Sequence, residues 1–355
     1  MTKSRRTRVL IVDDSAIVRR VLSETLSHEP DIEVVGVAPD AYVAREKILS
    51  LKPDVITLDI EMPRMDGVTF LKRLMRYHPM PVVIISSLGQ SSCDSAMEAL
   101  RAGAVEVLAK PGGPYSVGDL RRELGPRIRA AVQARVRSAQ SGIVEPAKTV
   151  LAAFERGSSA VVAIGASTGG TEAVADILTR MPENSPGILI VQHIPAAFSA
   201  SFAQRLDRTC AMQVREARDR DECVAGVALI APGNLHMSLR VDGAKRYVVL
   251  DSKERVHYHR PSVDVLFHSV AETVGANAVG VLLTGMGVDG AKGLLAMRHR
   301  GAFTIAQDES SSVVFGMPKE ALRLGAADQG TPLSQIPMVV TQALRRKQEI
   351  LTIGG

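Results

Sequence analysis

Two sets of residues in this 355-residue chain could do chemistry. The first is a group of three carboxylates, Asp13, Asp14 and Asp59, with one hydroxyl, Ser86, and one amine, Lys110. Carboxylates brought together repel one another unless a hard cation lies between them, and Mg²⁺, which takes oxygen ligands, suits such a group. The second begins at Gly165-Ala166-Ser167-Thr168-Gly169, a G-x-S-x-G pattern in which small neighbours allow a tight turn that exposes the serine. Gly-rich turns of this kind also bind phosphate or simply pack closely. A nucleophilic serine needs a base, and His193 follows the next apolar run. It also needs an acid to fix the imidazole tautomer, and Asp289 lies in Thr284-Gly285-Met286-Gly287-Val288-Asp289-Gly290. Ser167 would attack, His193 would take and return the proton, Asp289 would orient His193, and backbone N–H groups of a Gly-rich turn would hold the oxyanion.

The elements that position these residues can be read from the apolar pattern. Val9–Val12, Val34–Val37, Val55–Leu58, Val82–Ile85 and Val105–Leu108 are short β-branched runs separated by helical segments. This predicts a five-stranded parallel sheet, doubly wound and buried on both faces. Asp13, Asp59, Ser86 and Lys110 each fall at a carboxyl end of a strand, where a doubly wound sheet forms its crevice. A basic helix end, Arg121–Arg137 with six arginines, leads into Ser138–Lys148, which reads as a linker. A second block starts at Val161–Ile164 and Ile188–Val191. Val227–Ile230, Met237–Leu239 and Tyr247–Leu250, broken by Pro232-Gly233-Asn234 and Asp242-Gly243, predict hairpins. Parallel signals return at Ala278–Leu283 and Phe303–Ala306. The second block is therefore expected to be a mostly parallel α/β domain with an antiparallel insertion.

Composition narrows the function classes. The chain is 46% hydrophobic and 23% charged, which excludes collagen-like and disordered classes. No apolar run approaches the roughly 20 residues of a membrane span, and the basic start at Lys3 to Arg8 has no signal-peptide core behind it. Three cysteines, Cys93, Cys210 and Cys223, lack metal-like spacing and suggest reduced thiols in a cytoplasm. The formal charge of +5 admits nucleic acid as a partner. No helix-turn-helix follows the arginines, so no nucleic-acid partner is expected. Gly285 to Gly290 is also a literal G-x-G-x-x-G with Asp308 beyond it, a dinucleotide fingerprint in the wrong half of its domain. His257 and His259 form an H-x-H pair without an evident third metal ligand.

Both halves resemble known families. VLIVDDS at 9–15, DVITLDIEMPRMDG at 54–67, Ser86 and AKP at 109–111 resemble a response-regulator receiver domain over residues 8–125. The resemblance implies that Asp59 accepts a phosphoryl group from a histidine kinase. It implies Mg²⁺ held by Asp14, Asp59 and the Glu61 backbone carbonyl with Asp13 assisting, and Ser86 and Lys110 contacting the phosphoryl oxygens. It also implies a tendency to a cis peptide at Lys110-Pro111. Receivers usually place an aromatic ring three residues before the lysine, where this chain has Val107.

AIGASTGG at 163–170, VQHIPAAFSASFAQRL at 191–206, LIAPG at 229–233, RPSVDVLF at 260–267, LLTGMGVDGAKGL at 282–294 and AQDESSSVVFGMP at 306–318 resemble the catalytic domain of the chemotaxis protein-glutamate methylesterases. That match spans residues 155–350, leaving 126–154 as basic helix end and linker. It implies a Ser167, His193, Asp289 triad, Thr168 beside the nucleophile and the Met286 backbone near the oxyanion. The implied reactions are hydrolysis of glutamyl methyl esters on methyl-accepting chemoreceptors and deamidation of selected receptor glutamines, without a cofactor for the hydrolytic step. The resemblance further implies that the unphosphorylated receiver packs over the crevice and that phosphorylation of Asp59 loosens or rearranges that interface.

Overall fold

In the computed structural model, residues 5–111, 117–136, 151, 154 and 160–353 are described; the chain falls into two compact units, Met1–Ile143 and Val144–Gly355. The expected linker, Ser138–Lys148, lies outside the described residues. Among those residues no helix is long and apolar enough to cross a membrane.

The first unit alternates β1 (Thr7–Val12), α1 (Ala16–Ser27), β2 (Ile32–Ala38), α2 (Ala41–Leu51), β3 (Val55–Asp59), α3 (Gly67–Tyr77), β4 (Val82–Ser86), α4 (Gln90–Arg101), β5 (Glu106–Ala109) and α5 (Val117–Val132). The strands pair in parallel in the order β2-β1-β3-β4-β5. All residues of β3, β4 and β5 are buried, as strands covered by helices on both faces must be. Side-chain caps set the helix starts: Asp40 accepts from the Val43 N–H at 3.0 Å and Asp66 from the Thr69 N–H at 2.8 Å. The order of strands reverses between β1 and β3, so the crevice opens beside Asp13 and Asp59.

The second unit contains β6 (Val161–Ala166), α6 (Gly170–Leu178), β7 (Gly187–Gln192), α7 (Ala196–Asp207), β8 (Gln213–Glu216), β9 (Val227–Ile230), β10 (His236–Asp242), β11 (Lys245–Asp251), α8 (Val263–Thr273), β12 (Ala278–Leu282), α9 (Ala291–His299), β13 (Phe303–Gln307), α10 (Met317–Arg323), β14 (Gln329–Thr331) and α11 (Ile336–Ile353). Seven strands form one parallel sheet in the order β14-β13-β12-β6-β7-β9-β8, while β10 and β11 make a separate antiparallel pair. Of the expected hairpins only β10–β11 exists. Val227–Ile230 instead joins the parallel sheet between β7 and β8, because its apolar residues are buried on both faces.

Register aligns the strand ends that matter. Ala166 pairs with Gln192 and Gly165 with Leu282, so the residues that follow β6 and β7 emerge side by side. The strand order reverses between β6 and β12, which puts the crevice of this sheet there as well. Below it, α8 packs Val263, Leu266, Phe267 and Val270 into the core with Val161, Val191, Leu282 and Leu294.

Candidate functional site

In the first unit the sheet delivers Asp13, Asp14 and Asp59 to one place, with a carboxylate oxygen from each within 4.8 Å of the others. Asp13 and Asp59 are buried, and Lys110 reaches between them, its Nζ 2.8 Å from Asp59 Oδ2 and 3.2 Å from Asp13 Oδ2. Burial, and then the neighbouring Asp13 charge, raise the Asp59 carboxyl to about 6 against the pull of Lys110. Burial likewise raises Asp13. Burial alone would lower Lys110, but the Asp59 and Asp13 carboxylates outweigh it and hold the ammonium. Three carboxylates against one ammonium are an oxygen-rich, net negative donor set that fits a hard divalent cation.

Asp13 and Asp59 are tied at their other oxygens to the backbone N–H groups of Ser15 (2.9 Å) and Glu61 (3.1 Å). The Ser86 hydroxyl is buried at the end of β4, but it turns toward the Ser87 and Ser92 carbonyls, each at 3.3 Å, rather than toward the carboxylates. The Glu61 side chain accepts from Ser92 Oγ (2.5 Å) and Ser87 Oγ (2.9 Å), which hold its carboxyl below the usual range. Val107 is fully enclosed in β5 and presents no ring to swing. The cis peptide among the described residues is Arg260–Pro261, not Lys110–Pro111.

In the second unit Ser167 leaves β6 directly and the chain turns at once into α6. Gly169 carries φ 73°, a left-handed conformation that glycine adopts without strain. The turn is packed so closely against the loop after β12 that a Cβ on Gly285 would lie 2.7 Å from Ser167 Cβ. The Ser167 N–H donates to the Thr284 carbonyl at 3.0 Å, so that particular N–H is not available to an oxyanion. Met286 and Gly169 N–H are spent on no backbone carbonyl among the described residues. The Thr284 hydroxyl stitches the two loops together, donating to the Thr168 carbonyl (2.9 Å) and accepting from the Val314 N–H (2.9 Å). Thr168 and Ser167 are both nearly fully buried.

His193 leaves β7 beside Ser167, its N–H bonded to the Ala166 carbonyl at 3.0 Å. Its ring nitrogen Nε2 lies 2.9 Å from Asp289 Oδ2. Asp289 is buried and would by burial alone be raised, yet His193, Ser262 and the Val263 N–H hold its carboxyl well below the ordinary range. The donors are Ser262 Oγ (2.8 Å), Val263 N–H (2.8 Å) and Asp264 N–H (3.1 Å), the capped N-terminus of α8. A carboxylate so held only accepts, so Nε2 carries the proton and His193 Nδ1 is left basic. That Nδ1 is buried and has no hydrogen-bond partner among the described residues. A ring nitrogen with no partner, at a strand end level with that of Ser167, can take a proton from a hydroxyl or a water.

A family model described as CheB methylesterase matches residues 162–340, and one described as the response regulator receiver domain matches residues 9–119. The chain belongs to the CheB methylesterase family. A protein-glutamate methylesterase/protein-glutamine glutaminase of Syntrophus aciditrophicus is 56% identical over 93% of this chain and 96% of its own length. One from Sulfurimonas denitrificans is 48% identical over 96% of this chain and 99% of its own. The crystal structure of the Thermotoga maritima CheB methylesterase catalytic domain covers 52% of this chain and 97% of its own, at 38% identity and a TM-score of 0.50. The chain joins a receiver to a methylesterase-family hydrolase.

The glycine motif and the basic helix end each make contacts of their own. The glycines from Gly285 to Gly290 deliver Asp289 to His193, and Asp308 accepts from Ser310 Oγ (2.6 Å) and the Ser311 N–H (3.0 Å). The arginines of the basic helix end are partly spent on acids, Arg127 with Glu106 (2.8 Å) and Arg129 with Asp31 (2.7 Å). His257 and His259 do not act as a pair: His257 faces Asp264 at 3.2 Å, while His259 stacks on His193. Ser262 and His259 are the neighbours of the site that sequence reasoning missed. Ser262 had a signal, since a serine opening the helix in RPSVDVLF is an N-cap; His259 had none beyond its type.

Proposed function

We propose that this chain is a phosphorylation-activated hydrolase that removes methyl esters from glutamates of methyl-accepting chemoreceptors and deamidates selected receptor glutamines, acting in the cytoplasm on adaptation of chemotaxis signalling. The observation that carries it is His193 Nε2 at 2.9 Å from Asp289 Oδ2, with the other ring nitrogen buried and unpartnered at a strand end level with that of Ser167. Ser167 Oγ attacks the ester carbonyl while His193 Nδ1 takes its proton. Met286 N–H and the turn around Thr168 and Gly169 stabilise the oxyanion. His193 then returns the proton to the leaving ester oxygen, which departs as methanol, or to the leaving amide nitrogen, which departs as ammonia, and water releases the acyl group from Ser167 by the same path. Asp289 keeps the imidazole in one tautomer and stabilises the imidazolium.

In the receiver unit, Asp59 accepts a phosphoryl group from a histidine kinase. Asp13, Asp14, Asp59 and the Glu61 carbonyl would hold Mg²⁺, which when bound supplies positive charge to the transferring phosphoryl group. Lys110 pairs with the phosphoryl oxygens, and Ser86 gives up its two long bonds to reach them. Because the Asp59 value of about 6 lies above its ordinary 3.8, the folded unit binds more protons than the unfolded chain between these values, and its stability falls as pH rises through that window. With divalent ions chelated at pH 7.5, Asp59→Asn should therefore stabilise the receiver by about 2 kcal/mol. Addition of Mg²⁺ at about a hundred times its Kd should stabilise the wild type by about 2.7 kcal/mol and the variant far less. Urea unfolding of the full chain, followed on its first transition, reads both effects; a destabilised variant in chelator would contradict the burial and the Asp13 repulsion that raise Asp59.

The functional test is methanol release from membranes bearing methyl-esterified receptor. Acetyl phosphate with Mg²⁺ should raise the rate of the full chain by at least about tenfold and should leave Asp59→Asn unchanged. A fragment lacking residues 1–150 should be active without a phosphodonor. If the fragment is no faster than the unphosphorylated full chain, the receiver does not restrain the hydrolase by covering it.

A further inference from the structure

His259 has no role in the chemistry described above, yet it makes the closest ring contact to that chemistry. Its imidazole lies face to face with that of His193, ring centroids 3.8 Å apart and planes 11° from parallel. The segment that presents it is built to stay in place. Val256 and His259 exchange both backbone hydrogen bonds, 3.1 and 2.8 Å, around a two-residue turn. His257 and Tyr258 occupy that turn at φ 49° and 66°, both left-handed. A turn of that hand favours Asn and Gly, and two bulky residues there carry strain that the surroundings must overrule.

The surroundings do so at several points. His257 Nε2 meets Asp264 Oδ2 at 3.2 Å, and Asp264 Oδ1 accepts from the Gly293 N–H at 2.6 Å, which anchors the turn to α8 and α9. Arg260 bonds Asn234 Oδ1 (2.9 Å) and the Lys253 carbonyl (2.8 Å), and also reaches the Ser252 carbonyl. Buried His236 holds both sides of the segment, through the Glu254 carbonyl (2.9 Å) and the Ser262 N–H (3.2 Å).

We propose that His259 is a positioning residue for His193, fixing the plane of its ring so that Nδ1 faces the Ser167 hydroxyl. The inference rests on the triad reading above. The bond from Nε2 to Asp289 fixes one nitrogen but leaves the ring free to rock about that bond, which would change where the unpartnered Nδ1 points. A flat partner pressed against the face removes that freedom, because parallel rings at this spacing lose contact on tilting. The same stack offers an aromatic face to the imidazolium that forms when His193 takes the proton. A flat apolar ring serves both ends, whereas an aliphatic side chain of similar volume serves neither.

The test compares His259→Phe, His259→Leu and His259→Ala in the full chain, assayed with phosphodonor on methyl-esterified receptor membranes. His259→Ala and His259→Leu should lose about tenfold or more in kcat with KM little changed, and His259→Phe should recover most of it. Imidazole ¹H–¹⁵N spectra of the same proteins, with His193 assigned by its loss in His193→Gln, should show Nε2 protonated in the wild type and His259→Phe. In His259→Ala they should show mixed tautomers. Equal thermal stability across the set separates positioning from folding. Wild-type kcat and an unchanged His193 signal in His259→Ala would overturn the proposal, as would a His259→Phe variant as slow as His259→Ala. If the wild type released no methanol, the functional reading would fall, and the spectra would still decide whether His259 sets the His193 ring.

Discussion

Ser167→Ala should reduce methanol release by about 10³- to 10⁶-fold, with the receptor bound as before. The size of the loss follows from what remains. Asp289 still polarises His193 and the oxyanion donors still stand, but Nδ1 has no hydroxyl to deprotonate. The variant should fold normally, since a nearly enclosed side chain loses only its Oγ and keeps its Cβ against Gly285. The result discriminates between two mechanisms that the geometry of His193 alone serves equally well. A basic, unpartnered Nδ1 could instead activate a water that attacks the ester directly, with Ser167 a bystander. In that case Ser167→Ala would retain most of the wild-type rate, and no acyl group would be trapped on the wild-type chain during rapid quench. Methanol release measured with ester and deamidation measured with a receptor glutamine should fall together, because both pass through the same acyl-Ser167.

Much of this site was legible in the sequence because parallel sheets gather residues by strand order. Asp13 follows β1, Asp59 ends β3 and Lys110 follows β5, and their convergence needs only the strand ends to be level. The same holds for Ser167 and His193, which follow β6 and β7 whose last residues pair. Asp289 is different. It stands seven residues beyond β12, on a loop that folds back under α8, and its partners Ser262 to Asp264 come from a helix that begins before β12 in the chain. Nothing local specifies that return; it is set by packing of Gly290 and Gly165 against Val263, where a Cβ on either glycine would lie 2.6 Å or 2.1 Å from the valine.

The strands β8 and β9 were harder for a related reason. Gln213–Glu216 is polar and half exposed as a sheet edge, so it carries no apolar run, and without it β9 looked like one arm of a hairpin. His259 was illegible for a different reason. Its position depends on a left-handed His257-Tyr258 turn, which no propensity rule assigns to those residues. In the receiver, the sequence located Ser86 at the strand end correctly but could not show that its hydroxyl points to α4, since that is a rotamer set by Ser92.

Asp289→Asn should be the second most damaging change, lowering kcat by about 10³- to 10⁴-fold while leaving the backbone in place. The carboxylate has two jobs that the amide cannot do together. It accepts from His193 Nε2, and it accepts from Ser262 Oγ and the Val263 and Asp264 N–H groups at the start of α8. Four donors converge on two oxygens. Asparagine keeps one oxygen and replaces the other by an NH₂ group, which must then face a donor wherever it is placed. If the oxygen serves the helix, the NH₂ meets His193 and forces the imidazole into the opposite tautomer, with Nε2 accepting and Nδ1 carrying the proton. Nδ1–H cannot deprotonate Ser167. If the oxygen serves His193, α8 loses part of its cap and the chain should lose about 1–3 kcal/mol of stability. Imidazole ¹H–¹⁵N spectra of His193→Gln-assigned samples, read beside thermal melts, tell the two arrangements apart. In either, Asp289→Glu should not restore the rate, because the longer side chain cannot keep both sets of bonds in a buried site. An Asp289→Asn variant with near wild-type kcat would show that Asp289 caps α8 and does no more, and that His193 draws its tautomer from elsewhere.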